Sequence, residues 1–122
     1  MTTRLQYHFV ASDEDNDVLT VGLADSQFDT KEYLWFQRYL DPDEDDGVYI
    51  ERDGQQYGTC GGIEKLVLSR DKIELYLSET TAEILDTEQE VEISFSATDE
   101  QFENFRAELK RVFEGDSTFE IR

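Results

Sequence analysis

The sequence predicts an α+β fold, with a mainly antiparallel sheet, one long amphipathic helix near the C-terminus and room for one short helix before it. Strands are indicated because Ile73, Leu75 and Leu77 alternate with more polar residues. The helix is indicated by apolar residues spaced along one face between Phe102 and Phe113. Leu, Ile, Val and Phe make up 32 of 122 residues, which is above the fraction typical of disordered chains. We therefore expect one folded domain over residues 1–122.

The N-terminal part of the chain is typical of a hairpin. Apolar residues alternate with more polar ones across residues 5–11 and again across residues 19–23. The acidic segment 12–17 separates the two and predicts a turn.

Residues 29–40 fit two structures. Asp29 and Glu32 have the spacing of a capping box, which predicts a helix. The aromatic residues between positions 33 and 39 favour a strand instead, and we expect a strand. It should end at the acidic loop 41–47, after which residues 48–50 begin a short strand that stops at the turn dipeptide 53–54.

The second half alternates strands with helices. Glycines between residues 58 and 62 predict a bulge or tight bend, followed by a hairpin formed by residues 63–69 and 72–77. Ser78 can cap a short helix, and residues 91–95 alternate as a strand. Thr98 and Gln101 form a capping box for the long helix, which Gly115 should end. Residues 118–121 then supply an edge strand.

The charge restricts the choice of partner. With 11 Lys and Arg against 30 Asp and Glu, the net charge is −19. Nucleic-acid binding requires a basic surface, and anionic membranes repel acidic proteins, so neither partner is expected. No segment reaches the length of about 18 apolar residues that a membrane helix needs, and the chain has one Cys. A reducing, cytoplasmic location is therefore expected.

The acidic loop invites a calcium-binding interpretation. Asp41, Asp43 and Asp45 have the spacing of the first three ligands of an EF-hand. The pattern then fails, because Gly47 stands at the seventh position instead of the sixth and Arg52 replaces the final Glu. We expect a solvated or partner-binding loop, and no metal site or cofactor.

Cys60 and His8 are the only residues of the types needed for a thiol nucleophile and an imidazole base. Nothing in their spacing brings them together, so no catalytic residue is expected, and a small Cys/His hydrolase is the least favoured function. Tyr33 and Trp35 are interpreted as core residues, with a binding hot spot as the alternative.

A compact acidic domain is suited to binding a basic protein surface, because electrostatic attraction steers the encounter. The other interpretation is an acidic structural or phosphate-mimicking domain of unknown target. The candidate partner-binding residues are the acids of two segments: Asp41, Asp43, Glu44, Asp45, Asp46, Asp13, Glu14 and Asp15.

Four segments, residues 17–25, 33–38, 46–51 and 57–64, resemble the bacterial immunity protein 10 family. The resemblance implies an immunity protein of a polymorphic toxin system, which binds and neutralises a toxin domain in the cytoplasm without catalysis. Immunity proteins of this kind are commonly acidic when their toxins are nucleases, so a basic toxin domain is the expected partner. The residues that match the family motifs, for which we expect structural roles, are Gln37, Arg38, Gly61, Gly62 and Glu64.

Overall fold

The computed structural model describes all residues 1–122 and contains ten strands, two α-helices and one 3₁₀ turn at Gln55–Tyr57. The strands are β1 (Thr2–Tyr7), β2 (Phe9–Asp15), β3 (Val18–Ala24), β4 (Tyr33–Tyr39), β5 (Tyr49–Arg52), β6 (Gly58–Cys60), β7 (Ile63–Leu68), β8 (Lys72–Leu77), β9 (Glu90–Phe95) and β10 (Phe119–Ile121). The helices are α1 (Glu79–Leu85) and α2 (Asp99–Val112). This confirms the predicted α+β class, with its long C-terminal helix.

The strands form two five-stranded sheets. The first, which we call the meander sheet, has the order β2-β3-β4-β5-β6 and is antiparallel throughout. The second, the mixed sheet, has the order β1-β9-β8-β7-β10. Its two outer strands, which come from the two ends of the chain, pair in parallel with their neighbours.

The N-terminal hairpin is confirmed for β2 and β3, but its predicted boundaries were wrong. The alternating segment 5–11 divides at His8, so that β1 joins the mixed sheet and β2 the meander sheet. Residues 12–17 are not all turn, because β2 continues to Asp15 and pairs with Val18. Only Asn16 and Asp17 make the turn, both with positive φ, as a tight two-residue hairpin turn requires.

Most of the other elements match their predictions. Residues 33–39 form a strand, and Asp29 is no helix cap but has a positive φ. The glycine-rich segment differs in part, because Gly58–Cys60 forms strand β6, whereas Gly61 and Gly62, both with positive φ, make the predicted bend. Both predicted N-terminal helix caps are present. The Ser78 side chain accepts a hydrogen bond from the backbone N–H of Thr81 at the start of α1, and α2 begins with a complete capping box. The final edge strand is β10.

One hydrophobic core joins the two sheets and the helices. It contains 24 buried residues, including the predicted apolar face of α2. The Phe36 ring of the meander sheet contacts Phe113 just after α2, and the Phe95 ring of the mixed sheet contacts Phe102 and Phe105. Each sheet therefore has one face on the core, and the opposite face of the meander sheet is open.

Two inward arginines of the meander sheet bind the C-terminal ends of the helices. Arg38 donates hydrogen bonds to the carbonyls of Val112 (3.0 Å) and Glu114 (2.6 Å) at the end of α2. Arg52 donates to the carbonyls of Leu85 and Asp86 at the end of α1, at 3.1 Å each. The last carbonyls of a helix lack partners within the helix, and its C-terminus favours a cation. The two arginines therefore anchor both helices to adjacent strands.

The anchoring role of Arg38 predicts a stability effect. Its guanidinium also pairs with Asp45 at 2.9 Å. Arg38→Met therefore removes the hydrogen bonds that one carboxylate and two carbonyls accept. We expect the free energy of unfolding at pH 7 to fall by about 2 kcal/mol, measured by urea denaturation. The matched control is Arg4→Met, which breaks an exposed pair with Glu92 and should change stability by less than about 0.5 kcal/mol.

The same variant should show a characteristic pH dependence. Hydrogen bonds from Arg38 and from the backbone N–H of Gly47 hold the pKa of Asp45 below its usual value. A depressed carboxyl pKa stabilises the folded protein above the unfolded value, and the stabilisation is lost as the pH falls through the folded value. The stability gap between wild type and Arg38→Met should therefore narrow below about pH 4. A gap that stays constant down to acid pH would contradict this role of the ion pair.

Candidate partner-binding face

The open face of the meander sheet carries an unusual set of side chains. Antiparallel pairing places Gly22 opposite Trp35, and Trp35 opposite Glu51. The outward residues of the three central strands are Val18, Thr20, Gly22 and Ala24 of β3, Tyr33, Trp35, Gln37 and Tyr39 of β4, and Tyr49 and Glu51 of β5. We call this surface the aromatic face.

Tyr33 and Trp35 are not core residues, and the prediction that placed them there was wrong. Leu34 and Phe36 occupy the inward positions of β4 and are fully buried, which turns Tyr33 and Trp35 outward. Their rings stack with centroids 4.0 Å apart, and both are half-buried. The indole Nε1 of Trp35 is shielded from solvent and has no hydrogen-bond partner.

Two open cavities adjoin Trp35 on the aromatic face. The larger, of about 690 Å³, is lined by Tyr33, Tyr49 and Glu51 among others and extends to Asp46 at its rim. The smaller, of about 510 Å³, reaches across β3 to β2. A concave surface with aromatic walls and a few convergent polar groups is typical of a binding site.

Glu51 is the buried charge of the larger cavity. It is 5% exposed, and its carboxylate accepts hydrogen bonds from the hydroxyls of Tyr33 and Tyr49, the latter at 2.7 Å. Burial, followed by the bond to Glu51 and its negative charge, raises the pKa of Tyr49 to about 12, and the same causes raise that of Tyr33. Both tyrosines therefore remain protonated donors at neutral pH. No Lys or Arg nitrogen lies within 4.0 Å of Glu51.

The two acidic segments predicted to bind a partner meet at one end of the meander sheet. The β2–β3 turn and the β4–β5 loop lie at the same end of an antiparallel sheet, and the N–H of Leu40 donates to the carbonyl of Asp17 at 2.8 Å. Seven acids of these segments are exposed and form no ion pair: Asp13, Asp15, Asp17, Asp41, Asp43, Glu44 and Asp46. We call them the acidic end.

Two of the nominated acids have structural contacts instead. Asp45 is partly buried and held by Arg38 and by the N–H of Gly47 at 2.9 Å. Glu14 pairs with Arg111 of α2 at 2.9 Å. Their carboxylates are therefore paired with arginines of the chain, unlike those of the acidic end.

Two of the residues that match the family motifs, Arg38 and Gly62, contact the helices, and two others, Gln37 and Glu64, lie at outward positions. Arg38 anchors α2, and Gly62 packs against α1, where its carbonyl accepts the N–H of Ser78 at 2.8 Å. Gln37 lies on the aromatic face and donates to the hydroxyl of Thr20 at 2.9 Å. Glu64 is exposed at a β-bulge of β7.

Cys60 and His8 do not form a catalytic pair. His8 precedes β2 and Cys60 ends β6, and these strands are the opposite edges of the meander sheet. Partial desolvation of the exposed Cys60 and the charge of Asp46 raise the pKa of its thiol, which disfavours the nucleophilic thiolate. No group of three or more His, Cys, Asp or Glu side chains is arranged to hold a metal ion. Neither helix has the length and apolar character needed to cross a membrane.

Sequence analysis identified the acidic segments but missed Glu51 and Tyr49. The signal that could have found them is the alternation of β5, in which a polar Glu51 follows the inward Ile50. Nothing local indicates that this outward acid is covered by two tyrosines.

Comparison with known proteins identifies the family. A family model described as immunity protein 10 matches residues 4–103, which include the aromatic face, the acidic end and most of the mixed sheet. No curated protein matches the chain. The match covers well over half of the 122 residues, as the motif resemblance predicted. The chain therefore belongs to the immunity protein 10 family.

Proposed function

We propose that this immunity protein neutralises a basic bacterial toxin domain by binding it in the cytoplasm through the acidic end and the adjoining aromatic face, without catalysis. The observation that carries the proposal is the convergence of two acidic segments, distant in sequence, at one end of an open sheet face.

The charge distribution favours a basic partner at this surface. Residues 9–60, which form the meander sheet, contain 14 acids and three bases. Two of the bases, Arg38 and Arg52, point inward to the helix ends, so they do little to offset the outward field. A surface of one sign attracts an oppositely charged partner and raises the association rate.

The proposal predicts rescue of toxin-poisoned cells. The reading frame immediately upstream of this gene should kill a plain host when it is expressed alone, and co-expression of this protein should restore growth. The matched control is Phe105→Asp, which places a carboxylate at a fully buried core position and should abolish both folding and protection.

Purification should then recover the two proteins as a stoichiometric complex with the toxin chemically unchanged, as inhibition by binding requires. A harmless neighbour, killing that this protein does not prevent, or a covalently modified toxin would contradict the proposal.

A further inference from the structure

Glu51 has an environment that is unfavourable unless a cation joins it. A buried carboxylate is costly to desolvate without a charged partner. Its two hydrogen-bond donors are neutral phenols, and no cation of this chain is within ion-pair distance. Glu51 lines the larger cavity, so a cation from another molecule can approach its carboxylate.

The cavity walls present groups that suit a guanidinium. Tyr33 and Tyr49 donate their hydroxyl hydrogens to Glu51, which leaves lone pairs on both phenol oxygens for an incoming donor. The rings of Tyr33, Trp35 and Tyr49 add negative π-faces, which attract cations. Asp46 adds a further negative charge at the rim, and Arg38, which also lines the cavity, has its guanidinium bound to Asp45 and to the end of α2.

The position of the Tyr49 hydroxyl depends on a glycine in β6. A Cβ atom at Gly58 would lie 2.1 Å from the Tyr49 hydroxyl oxygen, so only a residue without a side chain leaves the hydroxyl its place. The bond from Tyr49 to Glu51 therefore depends on the glycine opposite Glu51 in the next strand.

We propose that the cavity bounded by Tyr33, Trp35, Tyr49 and Glu51 receives an arginine side chain of the toxin. This deepens the proposed function and rests on it, since it names the group that the aromatic face binds. Arginine fits better than lysine, because its planar, weakly hydrated guanidinium stacks on aromatic rings while donating several hydrogen bonds. An anionic group would be repelled by Glu51 and Asp46, and an apolar one would leave the Glu51 charge uncompensated.

The single tryptophan of the chain provides a direct test. The indole N–H of Trp35 gives one signal in a ¹H–¹⁵N NMR spectrum, and the probe is Nα-acetyl-arginine amide. We expect a saturable shift of this signal with the arginine probe and none with Nα-acetyl-citrulline amide, which has nearly the same shape but no charge.

Two variants locate the binding. Glu51→Gln keeps the size of the side chain but removes its charge and replaces one acceptor oxygen with an NH₂ donor, so one tyrosine hydroxyl has to accept instead of donate. It should weaken binding of the probe by about tenfold or more, with its folding checked by thermal melting. Asp43→Asn, which removes one charge from the exposed acidic end, is the matched control and should bind nearly as wild type does. Absence of a saturable shift, equal response to citrulline, or full binding by folded Glu51→Gln would overturn the proposal.

These outcomes are separate from those of the rescue experiment, because the probe requires no toxin. If cells are protected but the probe does not bind, the arginine site is wrong and the immunity function stands. If the probe binds but no toxin is neutralised, the function is wrong.

Discussion

Replacing Asp43, Glu44 and Asp46 with Lys is expected to slow association with the toxin by about 10- to 100-fold at low salt. The three residues are exposed and unpaired, so the substitutions reverse the field of the acidic end without removing a contact within the chain. Asp45 is left in place because it pairs with Arg38. Stopped-flow mixing would measure the rate, and the dissociation rate should change less, since long-range steering acts on the encounter.

The matched control reverses the charge of three exposed acids elsewhere: Glu83 on α1, Glu88 in the connection that follows, and Glu90 at the start of β9. Both triple variants change the net charge by the same amount. We expect the control to associate at close to the wild-type rate, and we expect added salt to slow the wild type far more than the acidic-end variant. An equal loss in both variants would show that total charge, and not its position, sets the rate.

Local signals in the sequence were sufficient for much of the fold. The capping box at Thr98 and the spacing of the apolar residues after it specify α2 within one stretch of chain. The alternation of apolar and polar residues along β8 likewise specifies the hairpin that it forms with β7 in the mixed sheet. Such patterns depend on contacts between near neighbours, so they can be read without knowing the rest of the structure.

Contacts between residues distant in the chain could not be predicted from the sequence. Alternation shows which residues of β4 share a face, but both faces carry large apolar or aromatic side chains, so it cannot show that α2 covers Phe36 and leaves Trp35 open. The division of residues 5–11 between two sheets also depends on a remote partner, since β1 pairs with β9.

The candidate site shows the same limit. Composition identifies the acidic segments, but their convergence follows from strand order, which only the sheet reveals. From the sequence alone, Asp45 and Asp46 are equally good candidates for binding a partner. In the structure Asp45 pairs with Arg38, whereas Asp46 is exposed at the cavity rim. Glu51 was missed because its partners, Tyr33 and Tyr49, become neighbours only through the pairing of β4 with β5.

The bend between the two sheets should be the most sensitive backbone position. Gly62→Ala is expected to lower the free energy of unfolding by about 3 kcal/mol, because two effects add. Gly62 has a φ of +84°, which disfavours any side chain. A Cβ atom there would also lie 1.8 Å from the Oγ1 atom of Thr81 and 2.8 Å from the Oγ atom of Ser78, so the first turn of α1 would have to move.

Gly61→Ala separates the two effects. Gly61 has nearly the same φ, +82°, but a Cβ atom there would meet nothing within 4 Å. This variant should therefore lose only the conformational part, about 1 kcal/mol, and urea denaturation of both proteins measures the difference. A difference of about 2 kcal/mol assigns the remainder to packing against α1. Equal losses would mean that the backbone conformation alone requires glycine here and that the contact of Gly62 with α1 contributes nothing to stability.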